Sequence, residues 1–344
     1  KLRAARAIMR RIAEAADLPA GTRQLTAETA PRMFTRRDPW TNILRATLAT
    51  QAALIAGAVA VSVRPYTDAL GFADAHARRI ARNIPLIMTE ESALRQVMDA
   101  AGGSHAVEAL SRALGTRAWT LFQEIEELGG LAAALASGHI AEMIAKTAAR
   151  RRKEIATRRR PITGVSEYPN LDERLPQPPA GPTRAALRKQ VGLSDPAPAA
   201  RWEFRPRRLA ADFEAYRALS DRLLADEGER PAIFLANIGP IARHNARATF
   251  AANAFAAGGI RPVTNDGFTD AGTMAEAFRA SSARLAVICG HDEDYATEAA
   301  AFAEALKAAG AALVWLAGRP EAEQAEAWRK AGVDRFIGLG SDML

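Results

Sequence analysis

The last third of the chain alternates short apolar runs with Ala-rich stretches of helical spacing. The first run, AIFLAN (232–237), is bounded by Pro231 and by Gly239-Pro240. That length and those breakers suit a buried strand better than a helix. From about Ala242 to Ala257, alanines interspersed with Phe250 and Phe255 lead to Gly258-Gly259, which reads as a helix stopped by a glycine cap. The alternation then repeats. It predicts strands at 232–237, 260–265, 284–289, 312–317 and 335–338, and helices at about 242–257, 271–281, 294–309 and 320–331. Five strands separated by helices predict an α/β domain with a flavodoxin-like, doubly wound parallel sheet of order 2-1-3-4-5. In that order the loops after the first and third strands flank one crevice at the carboxyl edge, where such sheets bind ligands. Those loops carry His244 and His291, the latter within GHDED (290–294).

The upstream pattern is mostly helical. KLRAARAIMRRIAEAA opens the chain with Leu2, Ala5, Ile8, Met9 and Ile12 on one stripe. A short strand fits within GTRQLTAET (21–29), and Asp38-Pro39 marks a helix start, with Asp38 as cap and Pro39 at the first helical position. That helix runs through 42–58 and the strand AVAVSVRP (58–65) follows. A helical region from Ala73 to Met98 contains Pro85, which predicts a break, and it ends at Ala101-Gly102-Gly103. Helices are predicted again over Ala106–Glu127 and Ile140–Thr157. This alternation resembles the back part of a (β/α)8 TIM barrel. A whole barrel takes about 250 residues, and only about 165 precede the Pro/Ala/Arg-rich stretch 174–208. The front strands, and a segment upstream of the opening helix, are therefore expected outside this stretch of chain. The predicted organisation is a partial barrel over 1–165, a linker over 166–230 with one helix at Phe213–Ala225, and the flavodoxin-like domain over 231–344.

Composition narrows the class. Hydrophobic residues make up 49% of 344 and charged residues 25%, which excludes general disorder. No apolar run reaches the roughly 18 residues that span a bilayer, so no membrane partner is expected. The single cysteine, Cys289, forbids an intramolecular disulfide within this stretch and fits a reducing cytoplasm. Net charge is +7, concentrated in Arg150–Arg160 and Arg205–Arg208. No aromatic residues interleave those arginines as a stacking platform would require, so they read as a solvated helix end and no nucleic-acid partner is expected.

Each candidate group has a plain structural reading. Cys289 ends an apolar strand and reads as a buried thiol. His291-Asp292-Glu293-Asp294, possible metal ligands with His244, read as the acidic start of a helix. Glu167 and Asn170–Glu173 read as a clasp against the barrel or a partner.

Several long segments resemble one family. RIARNIPLIMTEES (79–92), DAAGGSHAVEAL (99–110), AWTLFQEIEELGG (118–130) and ITGVSEYPNLDE (162–173) resemble the later barrel region of methylmalonyl-CoA mutases. NIGPIARHNARATFAANAFAAGGI (237–260) and AGVDRFIGLGSDML (331–344) resemble their C-terminal domain. The resemblance implies a substrate barrel joined to a cobalamin-binding flavodoxin-like domain. Catalytic members interconvert (R)-methylmalonyl-CoA and succinyl-CoA through adenosylcobalamin. In them an Asp-x-His-x-x-Gly loop puts histidine on cobalt, orients it with aspartate, and lets the cofactor's nucleotide tail pass beside glycine. The matching frame here is Ala242-x-His244-x-x-Arg247. His244 is thus the one candidate cofactor-binding residue, in a degenerate loop. A Ser-x-Leu element is replaced by Cys289-Gly290-His291, and later paired glycines by Ala317-Gly318-Arg319.

The PNLDE and NIGPIARHNARATF wording resembles the small, non-catalytic subunits of heterodimeric bacterial members. That implies no catalytic residue, no metal and no cofactor in this chain. It also implies a homologous large catalytic subunit as partner, which holds adenosylcobalamin and the CoA ester. Two alternatives stand beside it: an active acyl-CoA mutase with a divergent cobalamin loop, and a basic α/β protein that binds nucleic acid or nucleotides.

Overall fold

The structure is a computed structural model, and it describes residues 1–19, 24–94, 96–97, 99–193, 204 and 206–344. The chain divides into two compact units. One comprises Lys1–Arg150 and Leu175–Arg208, the other Arg151–Arg174 and Leu209–Leu344.

The first unit is mainly helical. Its elements are α1 (Leu2–Ala15), β1 (Thr26–Glu28), α2 (Thr41–Ile55), β2 (Ala60–Ser62), α3 (Ala75–Leu86), α4 (His105–Glu127), α5 (Gly130–Ala136), most of α6 (His139–Ala156) and α7 (Arg184–Gln190). β1 and β2 pair in parallel, Thr26 with Ala60 and Glu28 with Ser62. The crossover helix that a parallel pair requires is α2. Phe34, Ala46 and Ile84 form its small core.

Four details differ from the sequence expectation. The apolar stripe of α1 is not its buried face: Met9 and Ile12 are exposed, whereas Ala4 and Ala13 are buried. The helix is instead tied to its neighbours by charge, Arg3 pairing with Asp99 and Glu108 while Arg11 lies over Trp119. α2 starts at Thr41, because Asp38 adopts a positive φ and accepts the Thr41 hydroxyl rather than capping a turn that begins at Pro39. Pro85 sits in the last turn of α3, and a π turn (Ile87–Glu91) follows it, so the helical region closes well before Ala101-Gly102-Gly103. Met98, the expected end, lies outside the described residues, as do residues 21–23 of the predicted first strand and Arg205 of the second basic run. The Pro-rich stretch also hides a helix, α7, capped by the Thr183 hydroxyl on the Ala186 N–H.

The second unit adds α8 (Ala211–Glu227), β3 (Ala232–Asn237), α9 (Ile241–Ala257), β4 (Arg261–Val263), α10 (Ala271–Ala280), β5 (Leu285–Cys289), α11 (Asp292–Ala308), β6 (Leu313–Ala317), α12 (Ala322–Lys330) and β7 (Arg335–Ile337). Its five strands are all parallel in the order β4-β3-β5-β6-β7, which is the expected 2-1-3-4-5. Alternation along β3 sends Ile233 and Leu235 to one face, against Ala248, Ala251 and Phe255 of α9. Phe234 and Ala236 face the other way, into a core with Met274, Phe278, Tyr295 and Phe302. Each such aliphatic or aromatic side chain removed from water contributes about 1.5–3 kcal/mol before chain entropy is charged against it. Burial on both faces is why these strands read as continuous apolar runs rather than alternating ones.

The PNLDE segment, read from sequence as a clasp on the barrel or a partner, grips its own unit instead. The buried Arg217 of α8 donates to the Asn170 carbonyl at 2.8 Å and reaches Glu173 at 3.4 Å. Arg230 donates to the Leu171 carbonyl at 3.1 Å, and Arg261 pairs with Asp172 at 2.9 Å. Glu167 pairs with Arg158, whose guanidinium lies over Phe250.

Candidate functional site

β3 and β5 are neighbours, in register from Ile233 opposite Leu285 to Asn237 opposite Cys289. Their chains depart to helices on opposite faces of the sheet, α9 on one side and α11 on the other. A crevice therefore opens beyond Asn237 and Cys289, between the start of α9 and the start of α11. The sequence-derived candidates converge on it.

His244 lies in the first turn of α9 and is buried. Its Nδ1 is 3.0 Å from the carbonyl oxygen of Gly239. A carbonyl only accepts, so Nδ1 is the donor in this contact. The ring is packed beneath Gly267, which has φ +104°. A side chain there would begin 2.0 Å from the Gly239 oxygen and 2.8 Å from His244 Cε1. Only glycine allows the β4–α10 loop to lie on this imidazole. Asn265 anchors the same loop: it donates to the Leu235 carbonyl at 2.6 Å and accepts the Gly267 N–H at 3.1 Å. Ala242, at the position matching the family's aspartate, is exposed and brings no polar group to the histidine.

Arg247, one turn after His244, crosses the crevice. Nη1 donates to the Gly290 carbonyl at 2.8 Å, Nη2 to Asp292 Oδ1 at 2.6 Å, and the guanidinium carbon sits 4.8 Å from the centre of the Tyr295 ring. Arg243 makes a parallel crossing. It holds Asp294 in a bidentate pair, Nε to Oδ2 at 2.9 Å and Nη2 to Oδ1 at 2.6 Å, and touches Glu293 at 3.0 Å. Arg243, with the His291 N–H, holds the Asp294 carboxyl below the usual aspartate range against the opposing effect of burial.

Tyr295 forms the floor. Its buried hydroxyl accepts the Gly290 N–H at 3.0 Å and has the carbonyls of Ala317 at 2.8 Å and Ile288 at 3.2 Å within reach of its one proton. Burial pushes its titration far up, as it does that of Cys289, which is fully enclosed at the end of β5. Cys289 is thus a core thiol with no nucleophilic character.

The acidic turn after β5 acts as a helix start. His291 is the N-cap of α11, and the Asp294 carboxylate accepts its N–H in a capping box. Among the described residues no group of three or more histidine, cysteine or acidic side chains is placed to hold a metal ion. Arg319, after β6, lies over the Gly338 and Gly340 loop that follows β7.

Arg243 and Tyr295 were not singled out from sequence. The signal for Arg243 was available: Arg243 and Arg247 are four apart on one helix and therefore share a face, opposite a helix that begins Asp-Glu-Asp. Tyr295 carried none, since an aromatic in the first turns of an amphipathic helix reads as ordinary core. The first unit has its own hollow of about 530 Å³ between α1 and α4. Of the arginines along it, Arg3 pairs with Asp99 and Glu108, and Arg10 with Glu14.

The sequence profile of the family Methylmalonyl-CoA mutase matches residues 1–192. Beyond it, the chain is 48% identical over 298 residues to the methylmalonyl-CoA mutase small subunit of Streptomyces virginiae, covering 86% of this chain and 46% of that protein. It is 44% identical over 302 residues to the probable methylmalonyl-CoA mutase small subunit of Mycobacterium tuberculosis, covering 86% and 45%. To the methylmalonyl-CoA mutase small subunit of Propionibacterium freudenreichii it is 36% identical over 303 residues, covering 86% and 44%. The chain thus spans about half the length of these relatives. With the profile matched over more than half of its residues, small subunits matched over most of it, and the expected parallel sheet in place, the chain belongs to the methylmalonyl-CoA mutase family.

Proposed function

We propose that this chain is the C-terminal part of a non-catalytic small subunit of a heterodimeric, adenosylcobalamin-dependent methylmalonyl-CoA mutase. It supports a homologous catalytic subunit that holds the cofactor and interconverts (R)-methylmalonyl-CoA and succinyl-CoA. The observation that carries the reading is Arg247, whose side chain spans from α9 to Gly290 and Asp292, across the crevice where the family's cofactor tail is expected. The loop beside it is altered as well, since Ala242 offers no carboxylate to orient His244. The proposal carries no catalytic residue in this chain and no resident metal. It includes no nucleic-acid or membrane partner. Two arginines of the basic run are paired, Arg152 with Asp212 and Arg158 with Glu167, and no helix among the described residues is long and apolar enough to cross a membrane. The buried single thiol agrees with a cytoplasmic complex.

One observation favours a second reading, an active mutase with a divergent loop: His244 is kept, and its Nδ1 faces a carbonyl acceptor, which leaves Nε2 as the nitrogen that could meet cobalt. Titration with hydroxocobalamin followed by visible absorbance separates the two. The first reading expects no spectral change and no retention of the corrinoid after gel filtration. Stoichiometric binding with the shift of histidine on cobalt would favour the second. Joint elution with a cobalamin-loaded catalytic homologue, when the two are mixed, is the further outcome expected of the first.

A further inference from the structure

Two changes at the crevice oppose the family's cofactor, the missing carboxylate at Ala242 and the added guanidinium at Arg247, and they are of unequal size. Loss of a group that orients a metal-binding histidine costs about 10–100-fold in affinity. Here even that loss is softened, because the Gly239 carbonyl accepts from His244 Nδ1 and so orients the ring in place of a carboxylate. Ala242 therefore weakens a site without closing it.

Arg247 does something different in kind. It is a side chain held at three points: Nη1 on a carbonyl at 2.8 Å, Nη2 on a carboxylate at 2.6 Å, and the guanidinium carbon 4.8 Å from the centre of an aromatic ring. Such charge-assisted and cation–π contacts are those with which a site holds a ligand. Beyond the Tyr295 ring and Asp292, glycines border the side chain. An ideal Cβ on Gly318 would lie 4.0 Å from the Arg247 guanidinium carbon, and Gly290 supplies a bare carbonyl. Arg243 and Asp294, beside it, brace the same two helices.

We propose that Arg247 is an internal occupant of this crevice, and that its side chain alone, rather than the degenerate histidine loop, is what shuts the chain to a corrinoid bearing a nucleotide tail. Removing the side chain reopens the crevice. The inference rests on the reading above, that this is a corrinoid-type domain which holds no cofactor.

The test uses the whole chain as wild type and as R247G, R247S, R243A, A242D and A242D/R247G. Each is dialysed against hydroxocobalamin and, separately, against cobinamide, a corrinoid without the nucleotide tail, with circular dichroism to follow the fold. Wild type, A242D and R243A are expected to retain neither. R247G and R247S are expected to retain hydroxocobalamin but not cobinamide, and A242D/R247G to bind it about 10–100-fold more tightly than R247G. Folded R247G and R247S that retain nothing would overturn the proposal, as would retention by A242D or R243A, or equal retention of cobinamide. Collapse of the fold in both Arg247 variants would also overturn it, by making the residue a structural strut. Retention by wild type would instead refute the reading on which the proposal rests.

Discussion

The Tyr295 hydroxyl is a buried polar hub. It accepts the Gly290 N–H and reaches the carbonyls of Ala317 and Ile288, which close the ends of two strands. Tyr295→Phe keeps the ring under Arg247 and removes only the oxygen, so Gly290 N–H and the Ala317 carbonyl are left without it in a dry setting. A loss of about 1–3 kcal/mol in urea denaturation is expected. The outer pair behaves differently because it is half-exposed. Arg243 lowers the titration of Asp294, and a carboxyl depressed in the folded state adds stability above its unfolded value, stability that is lost as pH falls through the folded one. Arg243→Ala is expected to lower the melting temperature at about pH 7 and to converge with wild type once the pH has fallen through the depressed Asp294 titration. Thermal melts across that range check it. A constant offset at every pH would assign the effect to packing instead.

The elements around the crevice were largely legible in sequence, and for a physical reason. A parallel strand buried on both faces must be a short apolar run, and β3, β5 and β6 agree with the expected strands to within a residue at each end. The helices of the same unit carry glycine stops and acidic starts that act locally, as at α9 and α11. Less legible were elements whose contacts are polar. α1 turns its apolar stripe partly outward because Arg3 is held by two carboxylates distant in sequence. α8 buries Glu214, Arg217 and Ser220 while Tyr216 and Leu219 are exposed, so hydrophobic periodicity says little about its orientation. Arg217 has a purpose that only the fold exhibits, the tethering of 170–173 to α8. Arg217→Ala takes a buried charge away from the partly buried Glu173 carboxylate and from the Asn170 carbonyl, and a loss of about 3 kcal/mol is expected. Faster amide exchange and new proteolytic cleavage should appear at 168–175 before elsewhere. Unchanged protection there would show that the segment is held by other means.

For the whole molecule, the sequence by itself determined the fold class, the strand order of the sheet and the family, because each rests on patterns that are local or repeated along the chain. Apolar period and length select strand or helix, and sequential α/β units have few ways to stack. It also placed His244 and the acidic turn at one carboxyl edge, since strand order dictates which loops meet. The tertiary structure alone decided what the crevice contains. Residues more than forty apart in sequence, Arg247 with Gly290 and Asp292, and Arg243 with Asp294, meet only when the two helices begin side by side. A charge written on one helix has no partner in the sequence; the partner is chosen by distance, and distance exists only once the sheet has formed.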